Sequence, residues 1–67
     1  MDSVYKLVEI VGTSSTSWEE AARKAVKTAS KTIRDLRVAE IKEMDIKLDG
    51  EELLFRVKMN LSFKYED

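Results

Sequence analysis

The sequence contains no cysteine, no histidine and no proline among its 67 residues. Without cysteine, the chain has neither disulfide bonds nor thiolate chemistry. Without histidine, it lacks the usual zinc ligand, and a serine nucleophile would have no imidazole to activate it. These absences exclude the common catalytic arrangements, and we therefore expect no catalytic residues.

The sequence also lacks an excess of charge of one sign and any long apolar run. Its 12 basic and 13 acidic residues give a net charge of −1, so no overall field favours nucleic acid or an acidic membrane. No apolar run approaches the roughly 20 residues that a membrane helix needs, and residues 1–11 do not show the pattern of a signal peptide. We expect a cytoplasmic protein with neither nucleic-acid nor membrane partners.

The length predicts a single domain over residues 1–67. A chain this short buries a smaller share of its surface than a larger domain does. Small folds usually need disulfides, a metal or partners for their stability. Since disulfides are excluded, self-association is the remaining common source of stability, and we expect a homo-oligomer.

Apolar periodicity predicts an α+β fold with the element order β-α-β-β. Residues 4–11 and 37–48 have strand composition, and apolar residues at three- and four-residue steps predict a helix over residues 18–36. The last strand alternates cleanly, with one apolar face made of Leu53, Phe55, Val57, Met59, Leu61, Phe63 and Tyr65. One helix would thus cover one face of a three-stranded antiparallel sheet.

Two local features interrupt this pattern. In the second strand the parity of the apolar residues changes, which indicates either a bulge near Lys42–Glu43 or two halves buried by different neighbours. Between the last two strands, Asp49-Gly50 predicts a two-residue type I′ turn.

The predicted hairpin is longer than the predicted helix. The third strand spans roughly 45 Å at about 3.3 Å per residue, whereas the helix spans roughly 28 Å at about 1.5 Å per residue. The apolar residues that extend beyond the helix need cover from another subunit; they are Met44, Ile46, Leu48, Leu53 and Phe55. This overhang is a second reason to expect an oligomer.

The hydroxyl-rich loop before the helix is better explained as a helix cap than as a phosphate site. Ser17 and Glu20 have the spacing of a capping box. A phosphate-binding loop needs further glycines and a Gly-Lys-Ser/Thr ending, and only Gly12 is present here. Trp18, at the start of the helix, is interpreted as a core residue.

Two sets of polar residues are candidates for binding. Glu40, Glu43 and Asp45 lie close together on the second strand. They are solvated charges, oxygen ligands for a hard cation, especially where symmetry brings copies together, or a catalytic carboxylate pair, which would need a pocket that raises the pKa of one member. A polar row alternates along the third strand and consists of Arg56, Lys58, Asn60, Ser62 and Lys64. That row faces solvent, a ligand or another subunit, and without exposed aromatic residues it is a poor RNA surface.

Several segments resemble the dodecin family: "YKLVEIVGTS", "TSWEEAARKAV" and "FRVKMNLSFKYE", in the order strand–helix–strand–strand. The resemblance implies a non-enzymatic protein that assembles as a hollow homododecamer, in which each sheet wraps partly around its helix. It also implies a flavoprotein for storage, which binds FMN, FAD or riboflavin between subunits, where the rings stack on paired tryptophans.

The sequence departs from the family pattern at the flavin-equivalent pocket, which we map to Val38, Glu43 and Arg56. Val38 stands where the family has its stacking tryptophan, so aromatic stacking worth about 0.5–1.5 kcal/mol per pair is lost. Arg56 replaces a glutamine and can donate hydrogen bonds but not accept them. We therefore expect flavin binding to be weakened.

Three functions remain open for the ligand of this pocket. A branch of the family with valine and arginine at these positions is similar to this sequence and is associated with calcium. The first candidate function is weak flavin binding. The second is a calcium-binding or purely structural shell. Arg56 and Lys58 would also suit an anionic nucleotide or coenzyme.

Overall fold

The structure is a computed structural model that describes residues 3–65. It contains the strand β1 (Tyr5–Ser14), the helix α1 (Trp18–Ala29) and the strands β2 (Leu36–Asp49) and β3 (Glu52–Lys64). The strands form one antiparallel sheet in the order β1-β3-β2. The predicted α+β fold with β-α-β-β order is confirmed.

The central strand β3 supplies most of the core. Val57, Met59 and Leu61 are at most 1% exposed, and they pack with Ala21 of α1, which is fully buried. Fully burying one such side chain contributes roughly 1.5–3 kcal/mol. Because α1 packs over β1 and β3, the helix leaves β2 largely uncovered.

The start of α1 confirms the predicted cap. The Ser17 hydroxyl accepts a hydrogen bond from the backbone N–H of Glu20 at 3.1 Å. In a capping box the Glu20 side chain would also accept a hydrogen bond from the backbone N–H of Ser17. Here the buried Ser14 hydroxyl accepts from the N–H groups of Thr16 and Ser17 instead. The backbone N–H groups between β1 and α1 therefore find hydrogen-bond acceptors in nearby serine hydroxyl groups.

The prediction that the helix extends to residue 36 is wrong, since α1 ends at Ala29. Hydroxyl side chains compete for the last carbonyls: Ser30 donates to the Lys27 carbonyl at 2.9 Å and Thr32 to the Ala29 carbonyl at 3.4 Å. Asp35 then adopts a left-handed conformation with φ 56°, which Asp tolerates better than most residues.

The phase change in β2 is a bulge, as one of the two interpretations predicted. The register shifts between Ile41 and Glu43, so that Ile41 pairs with Met59 and Met44 with Val57. The apolar residues on both sides of the bulge consequently face the same side of the sheet as α1. A second shift lies between Leu36 and Val38.

The turn of the β2–β3 hairpin lies one residue later than predicted. Asp49 pairs with Glu52, so the two loop residues are Gly50 and Glu51. Gly50 has φ 64°, and among residues 3–65 Asp35 is the one non-glycine with a positive φ. Glycine at the first central position, followed by a residue with negative φ, is the pattern of a type II′ turn rather than type I′.

The hairpin extends well beyond the helix, as predicted. The 12-residue α1 is about 18 Å long at about 1.5 Å per residue, whereas the long axis of the described chain measures 51 Å. Apart from Leu36, the large apolar side chains on β2 are exposed, from 40% at Ile46 to 73% at Leu48. Phe55 differs from the prediction, because it is half-buried against Trp18. Within residues 3–65, no helix is long and apolar enough to cross a membrane.

Candidate functional site

The polar row of β3 lies on the face of the sheet that points away from α1, here called the outer face. Because side chains alternate along a strand, the buried Val57 and Met59 face the helix and their neighbours Arg56 and Lys58 face outward. The register places β2 residues beside this row; they are Val38, Glu40, Glu43, Asp45 and Lys47. The outer face therefore carries every candidate site residue.

Arg56 makes a two-point ion pair with Asp45, its direct neighbour on β2. Its Nε donates to Oδ1 at 2.6 Å and its Nη2 donates to Oδ2 at 2.8 Å. Such paired hydrogen bonds are stronger and geometrically more specific than single ones. The side chains are only 37% and 41% exposed, so the pair is partly screened from water.

The pair shifts the pKa values of both groups. The hydrogen bond from Arg56 lowers the pKa of the Asp45 carboxyl; burial opposes this shift, and the charges of Arg56 and Lys58 add to it. The hydrogen bond to Asp45 raises the pKa of Arg56. Both groups thus stay charged, and two of the guanidinium nitrogens are occupied by the chain itself.

A second ion pair lies on the next row of the outer face. Lys58 Nζ is 3.1 Å from Glu43 Oε1, and the Glu43 side chain is 66% exposed. Exposed pairs of this kind contribute little, since water and salt screen them. Together the two pairs, Asp45–Arg56 and Glu43–Lys58, form what we call the ion-pair ladder, and its formal charges sum to zero.

Val38 lies away from the ladder. It pairs with Ser62, and its side chain is exposed. Ser62 is six residues along β3 from Arg56, or about 20 Å at about 3.3 Å per residue. One chain therefore brings Glu43 and Arg56 onto neighbouring rows but leaves Val38 at the other end of the outer face.

The three acidic candidates for a cation site do not converge within one chain. Glu43 and Asp45 belong to the ion-pair ladder, and Glu40 lies opposite Asn60. Over residues 3–65, no group of three or more Asp, Glu, His or Cys side chains could hold a metal ion. Carboxylates from more than one chain would be needed to surround a cation.

Trp18 has a role that the sequence pattern did not indicate. Its indole Nε1 donates to the backbone carbonyl of Asp45 at 3.0 Å, and its ring meets Phe55 edge to face with centroids 5.2 Å apart. Trp18 is half-buried and joins the start of α1 to β2 at the residue that holds Arg56. Spacing alone could not reveal this contact, because it joins residues 27 positions apart in the chain.

An apolar groove separates the rest of α1 from β2. It has a volume of about 920 Å³, and its walls include Trp18, Ala22 and Val26 on the helix and Ile41 and Met44 on β2. We call it the α1–β2 groove. It lies on the opposite side of the sheet from the outer face, so it is separate from the candidate ligand residues.

Comparisons with known proteins identify the family. Residues 4–66 match the Dodecin family model. The chain is 46% identical over 63 residues to the calcium dodecin of Mycobacterium tuberculosis, covering 92% of this chain and 89% of the relative. The crystal structure of that calcium dodecin, described as having a novel calcium-binding site, superposes with a TM-score of 0.87 at 45% identity, covering 96% of this chain and 93% of that one.

Dodecins from other bacteria have the same fold. A Streptomyces coelicolor dodecin gives a TM-score of 0.90 at 30% identity, covering 98% of this chain and 96% of that one. A mutant dodecin of Thermus thermophilus gives 0.89 at 34% identity, covering 98% of this chain and all of that one. The resemblance seen in the sequence is confirmed, and the chain belongs to the dodecin family.

Proposed function

We propose that this chain assembles as a hollow dodecamer that binds and stores a small ligand without catalysing a reaction. The observation that carries the assembly is the state of β2, none of whose 14 residues is buried in the single chain. Contiguous exposed apolar surface on a small protein marks an interaction site. Membership of the dodecin family supports other copies of the chain as the cover.

The α1–β2 groove and the overhanging hairpin are the surfaces that the copies would cover. Ile41, Met44 and Leu48 are 49%, 55% and 73% exposed on the helix side of β2. A ligand pocket that includes Val38, Glu43 and Arg56 would likewise need two or more chains, since one chain keeps Val38 about 20 Å from Arg56 at the rise of an extended strand. Assembly and ligand binding are therefore linked in this proposal.

Calcium is the ligand that we favour. The similarity to a protein named calcium dodecin supports it, and the outer face offers the carboxylate oxygens of Glu40, Glu43 and Asp45. Calcium takes six to eight oxygen ligands at about 2.3–2.6 Å in flexible geometry. Copies would have to bring these oxygens together, because they do not converge within one chain.

Flavin is the second candidate, since it is the ligand that the family resemblance implies. Val38 provides no ring for stacking, and two nitrogens of Arg56 already donate to Asp45. An anionic nucleotide or coenzyme is disfavoured as well, because the same two nitrogens of Arg56 would be needed to bind it. These departures weaken flavin recognition and leave a cation as the better match to the outer face.

Native mass spectrometry of the purified protein tests the proposal. We expect twelve 7.7 kDa subunits, a mass increase when calcium is added, and no flavin-sized addition. Removing calcium with a chelator should lower the melting temperature, and magnesium serves as the control cation. A monomer or dimer would contradict the assembly. A dodecamer with bound flavin and no response to calcium would replace calcium by flavin as the ligand.

The mapping of the pocket has a separate test. Val38→Trp combined with Arg56→Gln should restore flavin binding, with an affinity at least about tenfold above wild type, because the pocket regains a stacking ring and an amide. Quenching of flavin fluorescence measures it. Leu7→Trp with Arg56→Gln is the matched control, since Leu7 flanks Ser62 on the side opposite Val38. Equal affinity in both double variants would show that the mapping is wrong.

A further inference from the structure

We propose that Asp45 sets the ligand selectivity of the outer face, because its carboxylate occupies the donors of Arg56 that an anionic ligand would otherwise use. This inference rests on the proposed function in one respect, namely that Arg56 borders a ligand site. It adds a residue outside the mapped pocket and gives that residue a defined role, the exclusion of phosphate-bearing ligands.

The contact geometry supports direct competition. Arg56 uses Nε and Nη2, one edge of its planar guanidinium, for Asp45 at 2.6 and 2.8 Å. That edge is one of the two from which a guanidinium binds a phosphate or carboxylate through paired hydrogen bonds. A phosphate approaching Arg56 would have to displace Asp45 or bind the remaining edge, Nη1 and Nη2, where it would meet the negative charge of Asp45.

The fold holds Asp45 in this position. The turn at Gly50-Glu51 sets the register that places Asp45 directly opposite Arg56, and that register continues to Glu43. A register slip of one residue would turn Asp45 to the helix side of the sheet. The indole of Trp18 also holds the backbone of Asp45 through its carbonyl. Asp45 is thus fixed by the helix, the turn and Arg56 together, unlike a mobile surface carboxylate.

Charge on the outer face points in the same direction. The ion-pair ladder is neutral, with Lys58 beside Arg56 and Glu43 beside Asp45. Removing the charge of Asp45 would free Arg56 and leave the ladder with a net charge of +1. Removing the charge of Glu52, an exposed residue of the same face that lies near the turn and outside the candidate sites, would change the charge of the face by the same amount without freeing Arg56. The two changes therefore separate competition for Arg56 from a general electrostatic effect.

The experiment compares Asp45→Asn with Glu52→Gln, using FMN and riboflavin as probes. The two probes share the flavin ring, and only FMN carries a phosphate. We expect Asp45→Asn to lower the dissociation constant for FMN at least about tenfold, and Glu52→Gln to lower it less than about threefold. Riboflavin affinity should change less than about threefold in either variant. Adding Arg56→Lys to Asp45→Asn should remove most of the gain, because lysine has no two-point fork.

Equal gains for FMN in the two variants would overturn the proposal, and so would an unchanged FMN affinity in a folded Asp45→Asn protein. Asp45→Thr is the second uncharged variant if Asn disturbs folding. Failure of both to fold would assign Asp45 to the stability of the sheet and also overturn the proposal. All affinities are measured with excess chelator, so that calcium bound at Asp45 does not contribute, and native mass spectrometry of the same samples reports separately whether the chains are assembled.

Discussion

Gly12 lies where β1 and α1 are in close backbone contact, and Gly12→Ala should destabilise the fold. A Cβ built on Gly12 would collide with the backbone carbonyl oxygen of Ala21 and lie 2.8 Å from the Cβ of Ala25. The first obstacle is backbone, so no side-chain rotation relieves it. The helix would have to move away from the sheet, which loosens its contact with the core residues of β3.

The size of the effect follows from two opposing contributions. Overpacking a tight core costs about 1–3 kcal/mol, and the backbone obstacle favours the upper half of that range. Restricting the unfolded chain by replacing glycine offsets about 0.4–1 kcal/mol, since Gly12 does not have a positive φ. The net loss is about 1–2.5 kcal/mol, or a fall in melting temperature of roughly 4–20 °C for a domain of this size.

Thermal melting followed by circular dichroism measures this change. Protein concentration must be held constant, because the melting temperature of an oligomer depends on it. Thr13→Ala is the control, since it adds no atom to the helix side and should change stability by less than about 0.5 kcal/mol. Adding Ala25→Gly to Gly12→Ala should restore little of the lost stability, because the Ala21 carbonyl oxygen would still collide with the added Cβ. A Gly12→Ala protein that melts within about 2 °C of wild type would refute this reasoning.

Two further predictions concern the contacts of Asp45. Trp18→Phe keeps an aromatic ring against Phe55 but removes the hydrogen bond to the Asp45 carbonyl; we expect a loss of about 0.5–1.5 kcal/mol in urea unfolding, and a stability equal to wild type would contradict it. The pKa of Asp45 is lowered in the folded state by the Arg56 hydrogen bond. The unfolded chain therefore binds more protons, so this stabilisation is present above about pH 4 and is lost as the pH falls through the folded pKa. Between pH 7 and pH 2, the melting temperature should fall less in Asp45→Asn than in wild type. An equal fall in the two proteins would show that the Asp45 carboxyl does not contribute to acid unfolding.

The sheet could be predicted from the sequence because its central strand has to bury one face completely. The alternation from Leu53 to Phe63 determines which face of β3 forms the core, and the parity change near Lys42 is a bulge, as one interpretation predicted. The end of the helix was predicted wrongly because Ile33 and Leu36 keep helical spacing. Both pack against the core from outside α1.

The ion-pair ladder could not be predicted from the sequence, because cross-strand partners depend on the position of the turn. With Asp49-Gly50 as the loop, Leu48 would face Glu51, and Asp45 would face Leu54. The observed loop moves each partner by two positions, so that Asp45 meets Arg56. Periodicity tolerates this shift, since the same faces stay buried, and it therefore cannot distinguish between the two pairings.

Three residues of the outer face are best understood together. Val38 removes the ring on which a flavin would stack, and Arg56 removes an amide that both donates and accepts. Arginine alone would leave a positive charge that attracts the phosphate of FMN or FAD, but Asp45 neutralises it and occupies its donors. The outer face thus offers neither a ring at Val38 nor an amide at Arg56, and the ion-pair ladder carries no net charge. It does offer carboxylate oxygens, the ligands that calcium prefers. Under the proposed function, calcium should therefore bind more strongly than any flavin.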